Sequence, residues 1–115
     1  MPDFSLIYAD DALLVLDKPA GLLSVPGRGD DKQDCLICRV QQLYPDACVV
    51  HRLDMATSGL LLMARGSSAQ RQLNAAFASR AVHKRYEAVV DGVLTPLKPP
   101  DSDGWSAINL PIRLD

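Results

Sequence analysis

The residues best placed to do chemistry stand together in His51-Arg52-Leu53-Asp54, followed by Thr57-Ser58-Gly59 and a leucine run at 60–62. A carboxylate at the end of an extended segment, facing a polar turn, is where a rigid element presents a nucleophile or a base. The neighbouring Arg52 and His51 suit a phosphate or a nucleobase. On residue types alone a plainer arrangement is equally open, with Asp54 capping the following turn and Arg52 pairing with it at the surface. A second group is Cys35-x-x-Cys38. A structural zinc site needs four ligands, and only Cys48, His51 and His83 remain, without a second matching pair. A redox dithiol normally follows a strand, whereas this one lies within an apolar helical pattern, so all three cysteines are expected to be core thiols. No metal and no organic cofactor is expected.

The elements that must position Asp54 follow from hydrophobic periodicity. Short apolar runs predict strands over 6–8, 13–16 and 60–63, with 22–25 as a further extended piece and 49–50 leading into the His51 segment. Lys18-Pro19-Ala20-Gly21 breaks the second strand, and Lys18 reads as a surface turn lysine. Leu36, Ile37, Val40, Leu43 and Tyr44 recur at helical spacing and predict a helix over 34–44, capped by Asp31 or Asp34 and stopped by Pro45. A second helix is expected from Ser67 or Ser68 to about 79, with Leu73, Ala76 and Phe77 facing inward. Further strands are expected over 86–90, where Tyr86 then reads as a core aromatic, and over 108–114, an edge strand because of Pro111. Strands mixed irregularly with two helices give an α+β fold with a mixed, largely antiparallel sheet and two flanking helices.

Composition narrows the class. A chain of 115 residues holds one domain, and 48% hydrophobic with 23% charged residues excludes disorder and coiled coil. No apolar run approaches a membrane span, and the opening residues lack a signal peptide, so a cytoplasmic protein is expected. The net charge of −2 conceals a segregation: residues 1–50 sum to −4, 51–90 to +4 and 91–115 to −2. A basic centre of this kind serves either as a solvated helix face or as a local polyanion site.

His51-Arg52-Leu53-Asp54 followed by Thr57-Ser58-Gly59 resembles the catalytic motif of the RluA-type pseudouridine synthases, which isomerise uridine in ribosomal and transfer RNA. Tyr8-Ala9-Asp10-Asp11 and Leu16-Asp17-Lys18-Pro19-Ala20-Gly21 are similar to the family's opening strand pair and Lys-Pro-x-Gly turn. Lys84-Arg85-Tyr86-Glu87-Ala88-Val89-Val90-Asp91-Gly92 is similar to its Lys-x-Tyr-x-Ala-x-Val-x-Gly stretch. Ser24-Val25-Pro26-Gly27-Arg28 and 51–59 look most like members with dual tRNA and 23S rRNA specificity.

The resemblance implies that Asp54 is the catalytic aspartate, acting on the target uridine at the ring or at the sugar carbon, without a cofactor. It implies that Tyr86 stacks on the uracil and helps remove the C5 proton, and that Arg52 displaces the nucleotide from its stack. Arg80, Lys84 and Arg85 would then contact phosphates, and His51 is either structural or RNA-contacting. The family's later Gly-Arg-x-His-Gln-x-Arg stretch has no counterpart after Asp91. The expectation is therefore an N-terminal portion of the catalytic domain, 1–115, an incomplete domain with little activity alone and without a separate N-terminal RNA-binding domain. An RNA-binding module without catalysis is the competing reading; a hydrolase using Asp54 and His51 ranks below it.

Overall fold

A computed structural model describes residues 3–95, 100–101 and 103–112. The chain divides into two compact units, residues 1–83 and 84–115.

The first unit is an α+β structure built on a four-stranded sheet. β1 (Ser5–Ala9), β2 (Leu13–Lys18), β3 (Ala47–Val49) and β4 (Gly59–Arg65) lie in the order β1-β2-β4-β3, and every ladder is antiparallel. The expected mixed component shrinks to one isolated parallel bridge, Leu23 with Cys35. α1 (Leu36–Gln41) and α2 (Ser67–Ala78) flank the sheet.

Register explains the core. Leu14 and Leu16 of β2 stand opposite Met63 and Leu61 of β4, and all four are buried. Strand side chains alternate between faces, so Leu14, Leu16 and Lys18 share one face. Leu36, Ile37 and Val40 of α1, with Leu22, Cys35, Ala47 and Leu53, complete the same cluster. β1 is an exposed edge strand whose five residues all face solvent. In α2 the expected inward residues Leu73, Ala76 and Phe77 are half-buried, and the helix contacts β3 and β4.

Several expectations are corrected. The segment 22–25 forms only the single bridge, because Pro26 and Gly27 interrupt it before a second pair can form. α1 begins at Leu36 with Cys35 as its N-cap, and neither Asp31 nor Asp34 caps it; Asp34 instead holds Arg39 in a two-pronged ion pair at 2.7 and 2.9 Å. Gly66, at φ 86°, is the N-cap of α2, leaving Ser67 as its first helical residue. Residues 86–90 and 108–112 carry no strand, since no strand occurs among the described residues of the second unit to pair with them; 113–114 lie outside the described residues. Tyr86 is 60% exposed, not a core aromatic. In this unit Arg85 sits 5.6 Å over the Trp105 ring.

Candidate active site

Asp54 lies in the loop 50–58 between β3 and β4, and three anchors hold that loop. The first is His51. β3 ends at Val49, and the His51 imidazole takes over as acceptor, its Nε2 receiving the Leu62 N–H at 2.9 Å. That bond leaves the neutral ring protonated at Nδ1. The ring also stacks on Phe77 of α2, centroid to centroid 4.6 Å.

The second anchor is Ser24. Its hydroxyl donates to the Leu53 carbonyl at 2.6 Å and accepts the Leu53 N–H at 3.1 Å, so one side chain satisfies both backbone groups of a buried residue. Ser24's own carbonyl accepts the Ile37 N–H, tying this contact to the start of α1.

The third anchor is Lys18, and here the surface-lysine expectation fails. Lys18 is fully buried, with its ammonium donating to the carbonyls of Pro19, Leu22 and Met55 at 3.0, 2.7 and 3.1 Å. Three donors meet three acceptors, which is what allows a lysine into the interior. The Met55 carbonyl also accepts the Gly21 N–H at 2.7 Å, so the Lys-Pro-x-Gly turn is fastened to the residue after Asp54. Burial pushes the Lys18 ammonium below its ordinary pKa, and the Asp54 charge partly opposes that shift. The period-2 pattern Leu14, Leu16, Lys18 was the signal that could have placed this residue inside.

Leu53 is buried while Asp54 is exposed, so the anchored backbone projects the carboxylate to solvent. The Asp54 carbonyl accepts the Thr57 N–H at 3.0 Å, closing a turn behind it. Among the described residues Asp54 makes no ion pair with Arg52, which removes the surface-pair reading. Both side chains border an open depression of about 230 Å³ with Leu23, Ser24, Val25, Leu53 and Met55. The site therefore offers a solvent-facing carboxylate, an adjacent guanidinium and an apolar wall on a fixed base. Among the described residues no cluster of three or more metal-ligating side chains occurs.

The basic centre separates into two kinds of residue. Arg65 is structural: it pairs with Asp46 at 3.1 Å, donates to the Asp10 carbonyl and lies 5.2 Å over the Tyr44 ring. Arg52, Arg71 and Arg80 are exposed. Arg80 follows α2 with φ 58°, the one non-glycine residue with positive φ among those described. Its N–H bonds to the Phe77 carbonyl and that of Ala81 to Ala76, the pair of bonds that closes a helix end and that usually employs glycine. Arg80 thus leaves the helix three residues beyond the ring that packs on His51. Tyr86, Lys84 and Arg85 belong to the second unit and are exposed there.

Residues 12–113 match the sequence model of the family described as RNA pseudouridylate synthase. The chain is 45% identical over 95 residues to the dual-specificity RNA pseudouridine synthase RluA of Escherichia coli K12, covering 83% of this chain and 43% of that protein. It is 46% identical over 91 residues to the protein of the same name from Vibrio parahaemolyticus, covering 79% of this chain and 36% of the relative. The chain thus spans less than half the length of these relatives. Among solved structures, the human RNA pseudouridylate synthase domain containing 4 superposes with a TM-score of 0.52 at 25% identity, over 67% of this chain and 30% of that one. With the family match extending over most of its length, the chain belongs to the RNA pseudouridylate synthase family.

Proposed function

We propose that this chain carries the catalytic aspartate segment of an RNA pseudouridine synthase, with Asp54 as the group that acts on the target uridine. The observation supporting this most directly is the projection of Asp54 from a loop fixed by His51, Ser24 and Lys18, at the edge of an open depression. In the reaction the bond from the sugar C1′ to N1 breaks, the uracil turns, and C1′ bonds to C5. The C5 proton leaves and N1 gains one, so the product is an isomer and no redox partner is needed. A carboxylate can hold the intermediate covalently, at the ring or at the sugar carbon.

Arg52, exposed beside Asp54, takes the place of the extruded nucleotide in its stack, because a paired or stacked uridine reaches a carboxylate only after flipping, at a cost of a few kcal/mol. Tyr86 supplies the flat face against the uracil and the polar tip for the C5 proton. Arg80, Lys84 and Arg85 contact phosphates, and His51 serves the RNA interface by fixing the loop's direction. The relatives' name includes dual specificity, and this chain's substrates are proposed to be tRNA and/or 23S rRNA.

The test is tritium release from RNA labelled at uridine C5, with protein in excess over RNA. Slow release is expected, and Asp54→Asn abolishes it while leaving RNA affinity within about twofold. Release that survives Asp54→Asn would overturn the assignment, whereas RNA binding without release by the unaltered chain would leave the incomplete-domain reading standing.

A further inference from the structure

We propose that Cys35 and Cys38 form an oxidisable dithiol that closes to a disulfide and stiffens the support beneath the Asp54 loop. The two sulfurs are 3.0 Å apart, with Cys35 Sγ directed at Cys38 Sγ. Cys35 is the extended N-cap of α1, φ −160° and ψ 167°, and Cys38 is the third helical residue. Cys35 is itself the extended residue, bridged to Leu23, and α1 opens directly after it, so the pair spans the junction of an extended residue and a helix. The core-thiol expectation therefore holds for Cys35, which is wholly buried, but not for Cys38 and Cys48, which solvent reaches in part.

That difference assigns the roles. The Cys38 thiolate attacks one sulfur of a small disulfide, RSSR; the S–S bond breaks, and RS⁻ leaves and takes a proton. Burial and the neighbouring Cys38 push Cys35 up to about 11, which keeps it a thiol in the resting state. Capping Cys38 removes its charge and its thiol hydrogen bond from Cys35. The Cys35 sulfur then attacks the Cys38 sulfur, and its proton passes to the second RS⁻, which is expelled as RSH. The protein dithiol is oxidised by two electrons, and RSSR is reduced to two RSH.

The bridge bears on the site through the backbone. The Leu36 N–H bonds to the Leu23 carbonyl at 2.8 Å and the Ile37 N–H to the Ser24 carbonyl at 3.2 Å, and Ser24 holds Leu53, the residue before Asp54. Tying the N-cap to the third helical residue restrains the segment that presents those two amides. The consequence for catalysis rests on the role proposed for Asp54, whereas the bridge itself does not.

The experiment incubates the full chain with graded ratios of reduced to oxidised glutathione, quenches with acid, and reads intact mass and amide hydrogen exchange. Expected are a loss of two hydrogens, also seen in Cys48→Ser and absent in Cys38→Ser, and exchange at Leu36 and Ile37 slowed by about tenfold. Glutathione adducts that persist on Cys38 or Cys48 with no loss of two hydrogens would overturn the bridge. A bridge that leaves both amides unchanged or faster would overturn the stiffening. Neither readout depends on turnover, so loss of the dithiol reading and loss of the Asp54 reading are separately visible.

Discussion

Replacing Ser24 by alanine isolates the contact on which the position of Asp54 depends most closely. The Ser24 hydroxyl is the partner of both the N–H and the carbonyl of Leu53, with Ser24 5% and Leu53 8% exposed. Water has little access to either group after the hydroxyl is gone. A buried polar group left without its partner costs about 1–3 kcal/mol, and two of them in the lower half of that range give about 2–4 kcal/mol. That is a large share of the roughly 5–15 kcal/mol that holds a domain folded. Urea unfolding followed by far-UV circular dichroism measures it. With a slope of about 1–1.5 kcal/mol per molar for a domain of this size, the midpoint falls by about 2 M. Ser24→Thr keeps the hydroxyl and is expected to recover most of the loss. Tritium release by Ser24→Ala, measured at a temperature where the variant stays folded, should fall as well, because the carboxylate loses its fixed base. A loss of stability below about 0.5 kcal/mol, the range of a neutral surface change, would refute the reasoning. So would an equal loss in Ser24→Thr.

Lys18→Met removes the ammonium but leaves the Pro19 and Leu22 carbonyls without their donor, while Met55 keeps Gly21; urea unfolding should show a loss of about 2 kcal/mol. The same pair of proteins has a pH signature. Unfolded Lys18 holds its proton to about 10.5 and the folded residue gives it up lower, so in that window the unfolded state binds more protons, and the native protein gains stability over Lys18→Met as pH rises toward 10.5. Arg80→Gly relieves a side chain held at φ 58° and should raise stability by about 0.5–1 kcal/mol in urea unfolding. The same change should weaken RNA binding and make its salt dependence shallower by about one unit of slope in a filter-binding series.

The sequence by itself settled what depends on local pattern. Short apolar runs and helical spacing located β1, β2, β4 and both helices, and in β2, β4 and α1 the fold takes buried core residues from these apolar positions. The His51 to Gly59 motif marked Asp54 and Arg52, since residue type and order are written directly in the chain. Tertiary structure decided what depends on partners far away in sequence. Lys18 became a buried anchor because the Met55 carbonyl, 37 residues on, arrives to accept one of its three bonds. Ser24, which opens a motif that gave it no role of its own, acquired its importance through Leu53, 29 residues away. His51 gained a holding role only when β4 supplied the Leu62 N–H and α2 the Phe77 ring. The segment 86–90 shows the converse: its β-branched and aromatic residues favour a strand, yet a strand forms only against a neighbour, and the described residues of its own unit supply none. Local propensity is a property of the residue, whereas burial, pairing and the direction of a carboxylate are fixed by what the fold brings beside it.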